Sequence, residues 1–293
     1  MAKDSVTADI YTRITDSIVT AIEAGTGKWR MPWHSDASTA FSPISVRGMK
    51  PYRGINTLVL WGQANAKGYE SAVWGTYDAW QERGAQVRKG EKGTTVVFWG
   101  RVNGQESDDT DNERVRLFCK GYSVFNAGQV DGYSVPVEPI EPKWKRIETA
   151  EGFFASTGAD IRHGGNQAYY RPSDDHIQMP KREQFDAPDE YYSTLAHECG
   201  HWTGSEKRLA REFGKRFGDN AYAVEELVAE LTAAFTMGHL GLANEPRQDH
   251  ACYLASWLKV LKADKRAIFT AASQAQKACD YLVAQSTREA VAA

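Results

Sequence analysis

The residues with the clearest chemical potential lie in the segment His197-Glu198-Cys199-Gly200-His201. In an α-helix, positions four apart share one face, so both imidazoles could bind a single metal ion. Glu198 would then lie beside the open coordination position and could accept a proton from water there. Because a Zn²⁺ ion lowers the pKa of its bound water to about 7, the pattern predicts a zinc-dependent hydrolytic site of the metallopeptidase type. The same ligands accept other divalent ions, so another metal is an alternative.

The flanking sequence predicts that this segment is helical. Pro188, Asp189 and Glu190 suit the first turn of a helix, and Gly204 is suited to end it. Cys199 would project away from the metal-binding face. We therefore interpret this cysteine as a small packed residue and not as a nucleophile.

A hydrolytic site of this kind needs a third protein ligand and one open position. Glu226 and Glu230 lie four residues apart on a predicted helix and share a face beside its apolar stripe. We predict that Glu226 is the ligand and that Glu230 orients a ligand histidine without touching the metal. Glu225 points about a third of a turn away and is the weaker candidate.

Three other side chains are candidates for this site. His239 and His250 could compete as ligands, but neither lies at a recurring ligand spacing. A hydrolytic mechanism also needs a donor to the transition-state oxyanion, and Tyr222 or His239 could supply it.

A second group of candidates lies in the N-terminal half, where aromatic residues stand beside arginine and lysine. Aromatic rings stack on unpaired bases while cations follow the phosphates, which is how proteins bind single-stranded nucleic acid. The predicted DNA contacts are Trp29, Trp33, Tyr52, Arg53, Trp74, Trp80, Arg88, Lys89 and Lys92. The alternative is that most of the tryptophans are buried in the core, as tryptophan usually is. The turn formed by residues 88–93 is either a phosphate contact or a plain turn.

The net charge of −3 on the chain of 293 residues by itself argues against a strongly basic nucleic-acid-binding protein. Residues 1–140, however, carry 16 basic and 16 acidic residues, and five of these acids lie within residues 106–113. The rest of that half is mildly basic. With 42% hydrophobic and 25% charged residues, the composition is that of a globular protein and excludes a disordered or collagen-like chain.

The sequence gives no indication of a membrane or secreted protein. No window reaches the roughly 18 apolar residues of a membrane helix, and residues 1–10 lack the apolar core of a signal peptide. The four cysteines are scattered without a CxxC pair, which favours free thiols in a reducing compartment. We predict a cytoplasmic protein that does not bind membranes.

The local patterns predict elements of both kinds in the N-terminal half. Isoleucines recur every four residues from Ile10 to Ile22, which predicts a helix with one apolar stripe that ends near Gly25. Further helices are predicted over 55–66 and 76–82. Strands over 94–101 and 114–125 should form a hairpin around an acidic loop at 103–113.

The C-terminal half is predicted to be mainly helical. A proline-rich stretch at 131–145 predicts a linker between two domains, 1–130 and 146–293. The fold class is therefore α+β, with an N-terminal mixed α/β domain followed by a mainly helical domain that has a small β-sheet. The predicted C-terminal elements are helices near 147–156, 188–203, 220–239, 248–262 and 265–284, and strands at 168–171 and 176–179.

Five stretches together resemble the ArdC family of plasmid antirestriction proteins: 51–61, 84–99, 195–209, 221–235 and 253–272. The resemblance runs from about residue 5 to 285. It implies an N-terminal domain that binds single-stranded DNA, a C-terminal zincin-like metallopeptidase domain, and protection of incoming plasmid DNA from host restriction. The motif residues carry over onto His197, Glu198 and His201, while the third ligand falls in the segment 225–230 without being fixed. The first half is also similar to the N-terminal region of a plasmid DNA primase family.

Two functional hypotheses follow. The first is an antirestriction protein that binds single-stranded DNA and hydrolyses a protein substrate, such as a host restriction enzyme. The second is a single-stranded-DNA-binding protein whose metal site is structural or non-proteolytic. A nuclease or deaminase site is a weaker idea, and the absence of a PCxxC segment disfavours the deaminase.

Overall fold

The computed structural model describes residues 2–25, 31–34, 41–101, 117–134, 142–211, 220–244 and 250–292. Helices and strands both occur in it, in agreement with the predicted α+β class. The helices are α1 (Ala2–Gly25), α2 (Ile55–Lys67), α3 (Tyr77–Gln81), α4 (Lys143–Ala155), α5 (Pro188–Thr203), α6 (Asn220–Leu240), α7 (His250–Ala263) and α8 (Ala267–Ala292). The strands are β1 (Ile44–Ser45), β2 (Val73–Gly75), β3 (Gln86–Val87), β4 (Thr94–Arg101), β5 (Leu117–Asn126), β6 (Val130–Asp131), β7 (Asp160–His163), β8 (Tyr169–Arg171) and β9 (His176–Met179).

The predicted hairpin is the largest β-structure of the N-terminal half. Strands β4 and β5 pair antiparallel from Thr94 opposite Val124 to Arg101 opposite Leu117. They belong to a four-stranded sheet with the order β1-β2-β5-β4, in which β4 forms an edge. The β-branched and aromatic residues of these strands explain why the local pattern identified them. The predicted acidic loop at 103–113 lies outside the described residues.

One hydrophobic core joins the two halves of the chain. The predicted stripe on α1 is buried, with Ile14 and Ile22 at most 2% exposed. It packs in the same cluster as Leu58 of α2, Leu231 of α6 and Ile268 of α8. The predicted division into domains 1–130 and 146–293 stays a prediction, and residues 135–141 of the predicted linker lie outside the described residues.

The C-terminal half combines helices α4–α8 with a small three-stranded sheet of order β7-β9-β8. Strand β7 runs parallel to β9, and β8 runs antiparallel to it. The sequence patterns identified β8 and β9 but missed β7, because Ile161 is the single apolar residue among its four. Of the described helices, none has the length and apolar character needed to cross a membrane.

Candidate metal centre

The site is built where α5 and α6 pack closely against each other. Gly200, inside the histidine motif, makes this approach possible, since a Cβ there would lie 2.9 Å from the Cα of Ala229 and 3.2 Å from its carbonyl oxygen. Protein interiors leave no space to absorb such a clash, so a larger residue would force the helices apart. The glycine therefore brings the motif on α5 within reach of the glutamates on α6.

The three predicted metal ligands meet at this helix contact. One nitrogen or oxygen atom from each of His197, His201 and Glu226 lies within 4.8 Å of the others. The Nε2 atoms of the two histidines are 3.1 Å apart. Glu226 Oε2 lies 3.6 Å from His197 Nε2, and Glu226 Oε1 lies 3.5 Å from His201 Nε2. The arrangement is that of a two-histidine, one-carboxylate metal site.

The second nitrogen of each imidazole faces a carboxylate. His201 Nδ1 lies 3.3 Å from Glu225 Oε1, and His197 Nδ1 lies 3.6 Å from Glu230 Oε2. The hydrogen bond between His201 Nδ1 and Glu225 favours the tautomer that carries its proton on Nδ1, which leaves the Nε2 lone pair of His201 for a metal. A cation between the two Nε2 atoms would be attracted both by their lone pairs and by the Glu226 carboxylate. The donor set therefore fits a divalent metal ion.

Glu226 is held in its ionised form. Burial raises the pKa of this carboxyl, but when the two imidazoles are protonated, the hydrogen bond from His197 and the positive charges of His201 and His197 outweigh burial and hold the pKa at about 2. The hydroxyl of Tyr222 also hydrogen-bonds to the carboxylate and lies 3.4 Å from the hydroxyl of Tyr253. Burial and these contacts raise the pKa of Tyr222, so its hydroxyl stays protonated at neutral pH.

Glu230 is held by two residues from the N-terminal half of the chain. Trp33 Nε1 donates a hydrogen bond to Glu230 Oε1 at 3.0 Å, and His34 Nε2 lies 3.1 Å from the same oxygen. His34 Nδ1 accepts a hydrogen bond from the backbone N–H of Met31 at 2.9 Å, so its proton resides on Nε2 and is donated to Glu230. The segment 31–34 therefore fixes the carboxylate that faces His197. Local sequence patterns contain no signal for this contact.

Glu225 is held by Arg211, which the sequence analysis did not single out. The guanidinium donates to both carboxylate oxygens at 2.8 and 3.1 Å, to the Gly200 carbonyl at 2.6 Å and to Thr203 Oγ1 at 2.9 Å. Burial raises the pKa of Glu225, but His201 and Arg211 together lower it below its ordinary value. Glu225 is thus an ionised partner of His201.

The other candidate residues of this site differ in where they lie. Cys199 is fully buried, and burial raises the pKa of its thiol, which agrees with a packed residue. Glu198 is 3% exposed, and its role as a base stays a prediction. His239 lies thirteen residues after Glu226 on α6, about 20 Å along the helix, so the suggestion that it is a ligand or oxyanion donor is wrong. The side chain of His250 lies outside the described residues.

Three of the predicted DNA contacts are core residues. Trp33, Trp74 and Trp80 are at most 1% exposed, so their rings are not accessible to stack on bases. Trp80 Nε1 donates to the carbonyl of Phe125, and Trp33 donates to Glu230. Their prediction as stacking residues is therefore wrong. Sequence composition did not reveal this, because a tryptophan beside basic residues looks the same whether its ring is buried or exposed. Trp29 lies outside the described residues.

The other predicted DNA contacts stay predictions. Tyr52 is half-buried, while Arg53 is exposed and forms an ion pair with Asp280. Arg88 is paired with Glu91 and Asp131 at 3.0 and 3.5 Å and so also braces its own turn. Lys89 and Lys92 are exposed. Arg88 and Lys89 line an open surface groove of about 550 Å³.

Comparisons with known proteins agree with this geometry. The family described as zincin-like metallopeptidase matches residues 148–274, which defines the class of the domain that holds the site. The N-terminal domain of anti-restriction factor ArdC matches residues 8–125. Two crystal structures of the antirestriction ArdC protein from the R388 plasmid are 41% identical to the chain. The metal-free structure has a TM-score of 0.79 and covers 96% of this chain and 98% of that one; the Mn(II)-bound structure has a TM-score of 0.76 and covers 94% and 97%.

Sequence relatives extend the comparison. An uncharacterized protein of Sinorhizobium fredii, y4eC, is 52% identical over 95% of this chain and 93% of its own length. The chain belongs to the ArdC family of antirestriction proteins. Two DNA primases TraC of Escherichia coli are 37% and 38% identical, but the chain spans only 28% and 20% of their lengths. The similarity therefore concerns one part of those primases.

We expect Trp33→Phe to weaken binding of a divalent metal about tenfold, as loss of an outer hydrogen-bond partner does at metal sites. The substitution removes one N–H donor to Glu230 and loosens the orientation of His197, while a phenyl ring keeps packing against Trp257, whose ring centroid is 6.2 Å away. Calorimetric titration of the apoprotein with Mn²⁺ measures the change. Trp80→Phe is the matched control, since it removes one buried N–H donor whose acceptor, the Phe125 carbonyl, is not one of the groups that face the ligand histidines. Equal affinities of the two variants would contradict the expectation.

Proposed function

We propose that this protein is an antirestriction protein that binds single-stranded DNA, protects incoming conjugative DNA from host restriction, and carries a zinc-dependent metallopeptidase-type site. The observation that carries the proposal is the convergence of His197, His201 and Glu226 in a zincin-like domain that is joined to an ArdC N-terminal domain. The relatives described as antirestriction ArdC support the biological role, and the Mn(II)-bound structure of one supports a divalent metal.

Zinc is the proposed metal because two histidines and one glutamate are a common ligand set of hydrolytic zinc sites. His197 and His201 would hold it through their Nε2 atoms, together with the Glu226 carboxylate. When bound, a divalent ion supplies Lewis acidity and lowers the pKa of water to about 7.

The chain's own side chains would move the protons of peptide hydrolysis. The Glu198 carboxylate takes a proton from the water that attacks the peptide carbonyl carbon, and later delivers it to the nitrogen of the leaving amine as the C–N bond breaks. The hydroxyl of Tyr222, protonated at neutral pH, can donate a hydrogen bond to the transition-state oxyanion. A host restriction enzyme or another protein would be the substrate, in the cytoplasm.

A second candidate function is favoured by the burial of the site. His197, Glu198 and Glu226 are at most 5% exposed, which restricts the approach of a peptide. In this candidate the metal stabilises the fold, and protection results from occupancy of DNA by the protein.

Glu198→Ala separates the two candidates. The variant should keep its metal and lose peptide hydrolysis, because Glu198 is not one of the three converging ligands. The assay is conjugative transfer of an unmodified plasmid into restricting cells that express the wild type, Glu198→Ala or Glu206→Ala, the last being an exposed glutamate shortly after α5. Loss of protection with Glu198→Ala alone supports the hydrolytic function, and unchanged protection supports the second candidate.

DNA binding is tested on the purified protein. Affinity for a single-stranded oligonucleotide should exceed that for the duplex and should fall as the salt concentration rises. Equal affinities, or binding that is independent of salt, would contradict the single-strand part of the proposal.

A further inference from the structure

The β4–β5 hairpin carries two exposed aromatic rings and a lysine on one face. Phe98 is 55% exposed and Tyr122 is 38% exposed. Phe98 lies opposite Lys120 in the ladder, and Tyr122 lies two residues further along the strand, so all three side chains emerge on the same side of the sheet. The two ring centroids are 6.4 Å apart at an interplanar angle of 84°, and Lys120 Nζ lies 5.0 Å from the centre of the Tyr122 ring.

The same face of the hairpin is core at its other end. Val96, directly opposite Tyr122, is 5% exposed, and Val124 is 1% exposed. Both pack with Leu60 and Trp74 in a small apolar cluster. The sheet face thus changes from buried valines to open aromatic rings within one step along each strand. Two large aromatic rings that stay exposed beside a well-packed core indicate a surface for a binding partner.

The charge on this face indicates the occupant. Among the residues that the structure describes, Lys120 forms no ion pair with a carboxylate, and its ammonium group lies over the ring of Tyr122. A protein partner would favour a broad apolar patch of several hundred Å². Two exposed rings beside an ammonium group instead fit nucleobases that stack on the rings while a phosphate approaches the ammonium group.

We propose that Phe98, Lys120 and Tyr122 form a stacking surface for the bases of single-stranded DNA. This inference rests on the proposed DNA-binding function and identifies where on the chain the DNA lies. It moves the contact from the buried Trp33, Trp74 and Trp80 to the open face of the hairpin.

The test measures binding of the full-length protein to a fluorescent single-stranded oligothymidylate by anisotropy. Phe98→Thr and Tyr122→Thr should each weaken binding roughly five- to 150-fold, as expected for the loss of one stacked base. Threonine keeps a high strand propensity, so the hairpin should still form. Lys120→Gln should lower the slope of log affinity against log salt by about 0.7, since one phosphate contact to a single strand is lost.

Trp99→Thr is the matched control, because Trp99 is the next residue on β4, is 42% exposed and points to the opposite face. It should leave affinity nearly unchanged. Thermal unfolding checks that each variant folds. If a ring variant fails to fold, Lys120→Gln still tests the surface. If the wild type binds no single-stranded DNA, the proposed function fails and this surface fails with it. If the wild type binds and the hairpin variants bind equally well, or Trp99→Thr is as weak as they are, the surface is wrong while DNA binding stands.

Discussion

Glu226→Gln should abolish tight binding of a divalent metal ion, whereas Glu225→Gln and Glu230→Gln should weaken it by about 10- to 100-fold. The reason is the different placement of the three carboxylates. Glu226 faces both Nε2 atoms at 3.5–3.6 Å, while Glu225 and Glu230 each face one Nδ1 atom on the far side of an imidazole. Removal of a ligand takes away a bond to the metal, but removal of an outer carboxylate only loosens the ring that forms the bond.

Affinity and spectroscopy together separate these roles. Isothermal titration with Zn²⁺ gives the affinities, and visible absorption of the Co²⁺-loaded protein reports the ligand atoms. Glu225→Gln and Glu230→Gln should keep the intensity and position of the cobalt bands, because their ligand set is unchanged. The assignment of Glu226 would be overturned if Glu226→Gln kept these bands and another of the three glutamate variants lost them.

Arg211→Met should lower the free energy of unfolding by about 3–5 kcal/mol, the usual consequence of removing one partner of a buried ion pair. The side chains of Arg211 and Glu225 are 5% and 6% exposed, so the substitution leaves a carboxylate without its cation in a site that water hardly reaches. The hydrogen bonds from Arg211 to the Gly200 carbonyl and to Thr203 Oγ1 are lost as well. Methionine keeps most of the apolar length of the side chain.

Urea unfolding of the apoprotein in the presence of a chelator measures this effect without a contribution from metal binding. Arg47→Met is the matched control: its ion pair with Glu82 is 61% and 58% exposed and should be worth less than 1 kcal/mol. The double variant Arg211→Met/Glu225→Gln should recover part of the loss, because the uncompensated charge is then gone. Similar losses for the two arginine variants would contradict a buried, energetically coupled pair.

The candidate site shows how far local patterns reach. The spacing of His197 and His201 places two imidazoles on one face of α5, and the spacing of Glu226 and Glu230 does the same for two carboxylates on α6. Both relations depend only on the geometry of a helix. The isoleucine stripe of α1 was predictable for the same reason, since its spacing marks the buried face of a helix. The strands of the hairpin were predictable from their β-branched and aromatic residues.

The aromatic residues show where local patterns fail. Trp80 and Phe98 both lie near basic residues in a β-rich region, yet Trp80 is 0% exposed and Phe98 is 55% exposed. The local sequence around an aromatic residue with basic neighbours is the same whether the ring is packed in a core or open to a base. Which ring is covered depends on the elements that pack over it, and these come from distant parts of the chain.

The sequence by itself determined the candidate metal ligands, the helices that carry them and the strands of the hairpin, because each is encoded in residues a few positions apart. Only the tertiary structure decided the placement of Glu225, Glu226 and Glu230, since the contact between α5 and α6, made possible by Gly200, selects which carboxylate faces the Nε2 atoms. It also brought Trp33 and His34 to Glu230 across nearly 200 residues of chain. Such contacts follow from the packing of a shared core, which no local period encodes.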